Sequence, residues 1–273
     1  MARFSNKRLG LALGSGIARG LAHIGVLNVL HQEGISFDMM AGTSAGAAIG
    51  ALFARGVDIT VIEEMALSID LKKMASLLDP ILPKTGLIGG KKIIKWLGAA
   101  LGKDVSFDDL AVPFACVATD ITSYEEVVIN EGLVLDAIRA SISIPAIFAA
   151  AKWQDKYLVD GTLVNPVPVN VLKTMGADVV IAVDVVPRAE EIHQQIADKK
   201  IKKPNIFGVM IQSINVASYT LANHCVEEAD IVIHPQVGHI SPTDFHRGKE
   251  LIAGGELAAR AAMPEIKKLL SVR

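Results

Sequence analysis

The stretch Met39-Met40-Ala41-Gly42-Thr43-Ser44-Ala45-Gly46-Ala47-Ala48 constrains the fold more than any other part of the chain. It reads as the end of an apolar strand, a tight turn framed by glycines around one serine, and the start of a helix of small residues. The spacing Gly42-x-Ser44-x-Gly46 is that of a nucleophile elbow, in which a serine is pushed out at the top of a sheet. Gly42 and Gly46 lack Cβ atoms, so strand and helix can pass close together and the turn between them can take a strained backbone. The helix N-terminus behind Ser44 offers unpaired N–H groups and the positive end of a dipole, both suited to a developing negative charge on oxygen. A short Gly/Ala/Ser loop kept for packing has the same spacing, so the pattern has to be weighed against the rest of the chain.

Upstream, Leu9–Leu13 is an apolar run bounded by Gly14-Ser15-Gly16, which predicts a buried strand. Leu21, Ile24, Leu27, Val29 and Leu30 then keep helical spacing up to a C-cap at Gly34. Strand, glycine loop, helix and a second strand into Ser44 make a βα repeat, which implies a parallel sheet. Ala47–Gly56 continues the elbow helix. Between about residues 58 and 109 the pattern is irregular: helical stretches at Ile59–Leu67 and Lys91–Leu101 flank a segment, 77–83, with two prolines. This reads as a helical excursion that either lines an apolar pocket or covers the sheet. The sheet resumes at Val112–Ala118, with Val127–Ile129 as a further strand and Leu133–Ala140 as a helix. Lys156–Val159 is a strand that delivers Asp160-Gly161 at its C-terminal end, and Pro166–Met175 is a helix with proline near its first turn. Val179–Val183 is almost wholly apolar, as a central parallel strand should be. Ile206, Met210, Ile214, Ala217, Leu221 and Cys225 mark one face of a long amphipathic helix, read as its core face. A last strand, Ile231–Ile233, precedes a helix running through Leu270. Nothing repeats and no linker divides the chain, so a single domain over 1–273 is expected.

Composition removes several classes of function. A net charge of −2 and a pI near 6.4 argue against a general nucleic-acid partner. No stretch reaches the roughly 18 uncharged apolar residues that span a membrane. Leu9–Leu13 is too short for a signal h-region. A cytoplasmic protein is expected, with peripheral contact at the inner face of a membrane left open. Lys199, Lys200, Lys202 and Lys203 beside Pro204 read as a solvated loop, with anionic-lipid contact as the other reading. Cys116 and Cys225 lie in apolar runs and are expected as buried free thiols in a reducing compartment. No His/Cys/Asp/Glu set has ligand spacing, so neither a metal nor a cofactor is expected.

If Ser44 is a nucleophile it needs a base to take its proton and N–H donors aimed at the oxygen that becomes negative. Candidate donors are Ala45, directly after the serine, and the loop Gly14-Ser15-Gly16-Ile17-Ala18-Arg19-Gly20. That loop does not fit a dinucleotide-binding turn, because G-x-G-x-x-G counted from Gly14 would need glycine where Arg19 stands. Two sources of base are open. His234, His239 and His246 stand late in the chain, where a triad histidine would fall. Asp160 ends a strand near the level at which Ser44 emerges, although Asp-Gly is also an ordinary turn.

Four blocks in order resemble the patatin-like phospholipase family. Leu11 to Leu27, containing Gly14-Ser15-Gly16-Ile17-Ala18-Arg19-Gly20, is similar to its oxyanion block, and Gly42-Thr43-Ser44-Ala45-Gly46 to its serine block. Ala140 to Phe148 resembles its third block, and Leu158 to Pro168 the block carrying its catalytic aspartate. The resemblance implies a three-layer α/β/α sandwich around a mostly parallel sheet. It also implies a Ser-Asp dyad of Ser44 and Asp160 cleaving carboxylic esters of lipids through an acyl-serine, without metal or cofactor. A catalytically weak lipid-binding relative, or an acyltransferase with the same dyad, is the alternative. Backbone N–H groups of Gly16, Ile17 and Ala45 would bind the oxyanion. Gly14, Arg19, Gly20, Gly42, Gly46 and Gly161 would shape the supporting loops. The partner implied is a lipid or small ester. His23, within the first block, reads as a packing or hydrogen-bonding residue. Many members carry glycine or another small residue where Ile17 stands, so a turn needing positive φ would hold isoleucine under strain. Thr162, after Asp160-Gly161, is a milder variation.

Overall fold

The computed structural model describes residues 7–82, 85–191 and 206–271; the basic run 199–203 lies outside the described residues. In chain order the elements are β1 (Leu9–Leu13), α1 (Ala22–Gln32), β2 (Met39–Thr43), α2 (Ala45–Ala54), α3 (Ile59–Leu67) and α4 (Leu71–Leu77). Then come β3 (Gly86–Ile88), α5 (Lys91–Leu101), β4 (Phe114–Asp120), β5 (Glu126–Ile129), α6 (Val134–Ser141), β6 (Ala146–Phe148) and β7 (Ala151–Trp153). They are followed by β8 (Lys156–Asp160), α7 (Val169–Thr174), β9 (Val179–Val183), α8 (Ile206–Cys225), β10 (Ile231–Ile233) and α9 (Gly248–Ser271).

Five strands run parallel in the order β10-β9-β1-β2-β4, and side chains alternate between the two faces of the sheet. Leu9, Leu11, Leu13, Met40, Phe114, Cys116, Ile181 and Val183 join one apolar layer with α1, α2, α3, α5, α6 and α9. Ala12, Met39, Ala41, Ala115, Val117, Val180 and Ala182 join the other with α7 and Ala222 of α8. Helices on both faces of a mostly parallel sheet make the three-layer α/β/α sandwich expected from the sequence. Because the second layer is built largely of alanine and valine, its helices can approach the backbone closely.

Three features refine or correct the sequence expectation. The five-residue connection after β4 is too short for a parallel crossover, so β5 folds back antiparallel, and β8 and β7 are also antiparallel to their neighbours. The excursion contains a strand as well as helices, since β3 pairs with β6 in a separate two-stranded sheet. The core face assigned to α8 is the wrong line: among its described residues Ser218 and Ala222 are buried, Ile206 is 80% exposed, Ala217 is exposed, and Met210, Ile214, Leu221 and Cys225 are half-buried. The helix rests on the layer of small side chains through its own small residues, and Ile211 and Ile214 run beside a cavity. Both cysteines are free; Cys116 is buried and Cys225 only half-buried. Among the described residues no helix is long and apolar enough to cross a membrane.

The tightest helix pair is α1 on α9, where Gly25 and Gly255 let the backbones touch. A Cβ at Gly25 would overlap the carbonyl of Ile252, and one at Gly255 the carbonyl of Ala22. Glycine to alanine in a helix normally stabilises by about 0.5–1 kcal/mol. Here Gly25→Ala and Gly255→Ala are each expected to destabilise by about 1–3 kcal/mol through overpacking. Urea unfolding should show a lowered midpoint with unchanged slope, and a raised midpoint would refute the contact.

Candidate active site

One flank of β4 brings the candidate residues together. β5 pairs with residues 116–119 on one edge of β4. On the opposite edge β2 occupies 114–117, with Thr43 opposite Val117, and β8 occupies 118–120, with Asp160 opposite Ala118. Two strands therefore arrive from opposite directions along the same edge and end against each other. Ser44 follows Thr43, and Asp160 is the last residue of β8. The Ser44 hydroxyl donates to Asp160 Oδ2 at 2.7 Å, and both residues are buried, at 4% and 3% exposure.

The elbow is strained as its glycines suggest. Ser44 has φ 55° and ψ −118°, in the left-handed region, and α2 begins immediately behind it at Ala45. A Cβ on Gly42 would sit 2.5 Å from the carbonyl oxygen of Gly46, and one on Gly46 would overlap that of Leu13. Any side chain at either position forces strand and helix apart. The serine N–H is held by Ser141 of α6, whose Oγ accepts it at 2.8 Å while donating to the carbonyl of Val117 at 2.6 Å. Thr43 Oγ1 donates to the Asn165 carbonyl at 2.8 Å.

Asp160 is held in place by its neighbours. Its N–H donates to the Ser143 carbonyl at 2.9 Å, and its own carbonyl accepts from Thr119 Oγ1 at 2.8 Å. Oδ1 accepts from the N–H of Thr162 at 2.9 Å and from the Thr162 hydroxyl at 2.6 Å. Burial pushes the Asp160 carboxyl above its ordinary value, against the pull of the donors Thr162 and Ser44, which favour the charged form. Gly161 lets the chain turn directly against β4, since a Cβ there would overlap the carbonyl of Val117.

The glycine loop forms the other wall as a tight 3₁₀ turn over Ile17–Leu21. Gly14 and Ser15 are tied down by N–H bonds to the carbonyls of Val183 (3.0 Å) and Pro166 (2.8 Å), and the Ala18 N–H bonds that of Pro242 (3.1 Å). Among the described residues the N–H groups of Gly16, Ile17 and Ala45 have no hydrogen-bond acceptor. Gly16 packs so closely on Val185 that a Cβ would overlap it, and a Cβ on Gly20 would overlap Ala45. Ile17 has φ 52°, so the strain expected of an isoleucine in this turn is present. Buried Arg19 anchors the turn: Nε donates to the Ile240 carbonyl at 2.8 Å and Nη2 to that of Gly238 at 3.2 Å. Burial lowers its pKa to about 10, which leaves it charged at neutral pH.

Among the described residues no histidine is a hydrogen-bond partner of Ser44, and His246 is exposed. His23 is fully buried beneath the loop, and its Nε2 donates to the Gly14 carbonyl at 2.7 Å. Burial lowers its pKa to about 4, so the ring is neutral. His234 packs between Asp184 (3.6 Å) and Glu191 (3.2 Å), and His239 pairs with Glu250 (2.8 Å). Of the two bases left open by the sequence, the one in contact with Ser44 is Asp160.

Two cavities meet at Ser44. A small one of about 40 Å³, room for roughly three waters, is bounded by Ser15, Arg19, Asp160, Thr162 and, from α8, Asn215 and Ser218. A large apolar one of about 840 Å³ extends over α2 and into the excursion, past Leu52, Met74, Leu77, Trp96 and Phe148. Ile17, Ile144 and Ile211 line both, so they ring the serine where the cavities join. Sequence reasoning missed Ser141, Thr119 and the residues of α8, and it passed over Thr162 as a variation. Hydroxyl residues carry no periodicity, and these become partners only through strand pairing and helix packing.

The sequence model described as patatin-like phospholipase matches residues 11–173. Proteins of Mycobacterium bovis and Mycobacterium tuberculosis named as uncharacterized NTE family proteins are 35% identical over 181 residues, 66% of this chain and 50% of theirs. The chain thus spans about half the length of these curated relatives. Lysophospholipase NTE1 of Pyricularia oryzae is 30% identical over 200 residues, 72% of this chain and 13% of that protein. Among solved structures, VipD of Legionella pneumophila superposes with a TM-score of 0.55 at 14% identity, covering 95% of this chain and 67% of that one, a likeness of fold.

Arg19 reaches the serine only by holding the turn. Arg19→Ala is expected to slow covalent labelling of Ser44 by a fluorophosphonate about 10²-fold, the cost of a misplacement near 1 Å. Lysine, which lacks the forked donor set, should not rescue it. Labelling at the wild-type rate in Arg19→Ala would refute this positioning.

Proposed function

Because the chain belongs to the patatin-like phospholipase family, we propose that it is a serine hydrolase acting on carboxylic esters of lipids, with Ser44 as nucleophile and Asp160 as general base. The observation that carries this reading is the 2.7 Å hydrogen bond from Ser44 Oγ to Asp160 Oδ2 at the floor of an apolar cavity. Such a cavity suits an acyl chain, since each methylene removed from water contributes about 0.8 kcal/mol.

The steps follow from the contacts. Ser44 Oγ attacks the ester carbonyl carbon as Asp160 Oδ2 takes the hydroxyl proton. The carbonyl oxygen becomes an oxyanion beside the N–H groups of Gly16, Ile17 and Ala45, and each such donor is worth about 10²–10³ in rate. Collapse expels the alcohol, which recovers the proton from Asp160, and leaves an acyl-serine. Water, deprotonated by Asp160, then releases the fatty acid and restores Ser44. Thr162 holds Oδ1, so Oδ2 remains the proton-accepting oxygen throughout.

Turnover of p-nitrophenyl esters of graded chain length tests the assignment. Ser44→Ala should abolish both turnover and fluorophosphonate labelling. Asp160→Asn should lower kcat by about 10²–10⁴, the usual contribution of a positioned base. Undiminished turnover in Ser44→Ala would overturn the reading. Asp160 must be ionised to act and burial raises its pKa, so kcat/KM should fall as pH drops through that raised pKa. The apparent pKa of that fall should lie above the roughly 3.9 of an ordinary aspartate. A profile flat down to that value would contradict the assignment.

A further inference from the structure

The excursion carries an unusual combination of exposed leucine and lysine beside the opening of the apolar cavity. Leu82 is 83% exposed, Ile81 41% and Leu87 40%. They form one small patch, because the Ile81 N–H bonds the Leu87 carbonyl at 3.0 Å and Pro80 bridges to Ile88. Leu87 also lines the cavity, and with exposed Gly208 and Gln212 of α8 it marks the opening. Beside them on α8, Ile206 is 80% and Val209 50% exposed.

The segment that carries this patch is predominantly basic. Residues 71–103 contain seven lysines and one acidic residue, in a chain whose formal net charge is −2. The one acid, Asp79, caps α5: Oδ1 accepts the Gly90 N–H at 2.8 Å and Oδ2 the Lys91 N–H at 3.0 Å. Asp70, just before the segment, likewise caps α4 through the Lys73 N–H at 2.6 Å. Lys72, Lys91, Lys92 and Lys95 are exposed, and Lys92 Nζ lies 2.8 Å from the Leu78 carbonyl, so the positive charge reaches the loop that bears Ile81 and Leu82.

We propose that this face, comprising the 78–82 loop, β3 and the lysines of α4 and α5, docks onto an anionic lipid bilayer and sets the cavity opening against it. Leucines enter the acyl boundary while lysines pair with anionic headgroups, the two signals that peripheral attachment needs. A second copy of the chain fits poorly, because a two-fold contact would oppose lysine to lysine. That an acyl chain passes from the bilayer into the cavity rests on the proposed hydrolase function; the docking itself does not.

The test uses Ser44→Ala protein, which cannot consume lipid by the proposed route, in co-sedimentation with phosphatidylcholine vesicles with and without phosphatidylglycerol. Binding should require phosphatidylglycerol and weaken with added salt. Each lysine near such a surface contributes about fivefold to partitioning. Lys72→Gln, Lys91→Gln and Lys95→Gln together should therefore lower binding about a hundredfold. Lys249→Gln, Lys267→Gln and Lys268→Gln, on α9, should leave it within a few-fold of the parent. Leu82→Ser should lower binding about tenfold, the value of burying a leucine. With Ser44 intact, all of these variants should hydrolyse a short soluble ester at the parental rate. Equal binding to both vesicles, equal loss in the α9 set, or no effect of Leu82→Ser would each overturn the proposal; the last would leave only polyanion contact. Failure of ester turnover alone would count against the hydrolase reading and not against docking.

Discussion

The hydrogen bond between Ser44 and Asp160 depends on how one edge of β4 is shared. β2 and β8 approach along it from opposite ends, and their last residues meet at the Val117–Ala118 step. Had β8 paired instead as a parallel strand on the far edge of β4, Asp160 would have stood two strand spacings, about 9.6 Å, from the line of β2. An aspartate is too short to bridge that gap. The head-on arrangement places both side chains at one level without an intervening histidine, and the antiparallel return of β8 is what makes it available.

The rest of the site reconciles strain and burial with this contact. The left-handed backbone at Ser44 and Ile17 costs of order 1–3 kcal/mol at each position. The contacts that hold these two turns are backbone to backbone or come from buried groups: Ser141 at the elbow, and Arg19 and Pro242 at the glycine loop. Burial alone would neutralise Asp160, while three hydrogen bonds donated to its carboxylate, each worth about 1.5–3 kcal/mol to a charged acceptor, work in the opposite direction. The direction of the balance is upward, towards a stronger base than an ordinary aspartate. A base of that kind is suited to taking a proton from a serine hydroxyl.

Polarity divides across the serine. On one side Thr162, Asn215 and Ser218 face a space large enough for only a few waters; on the other the excursion supplies an extended apolar surface. The same helices that turn apolar residues inward carry lysines outward, so cavity and charged face are two sides of one amphipathic layer. Such a layer links the interior of the site to whatever its outer face meets.

By itself the sequence determined the local grammar. The apolar runs at Leu9–Leu13 and Val179–Val183, the helix Lys91–Leu101 and the elbow Gly42-x-Ser44-x-Gly46 are legible because each is encoded within a few residues by side-chain periodicity or by the lack of a Cβ. The order of four blocks was enough to indicate the patatin architecture and to suggest Asp160. Only the tertiary structure decided that Asp160, 116 residues from Ser44, reaches it while His234 does not, and that Ser141, 97 residues away, holds its N–H. It also decided that α8 turns Ser218 and Ala222 inward and sets Ile211 and Ile214 along a cavity. Those outcomes depend on which strand edges pair and in which direction, and on how small the facing layer is, and no short window of sequence contains either quantity.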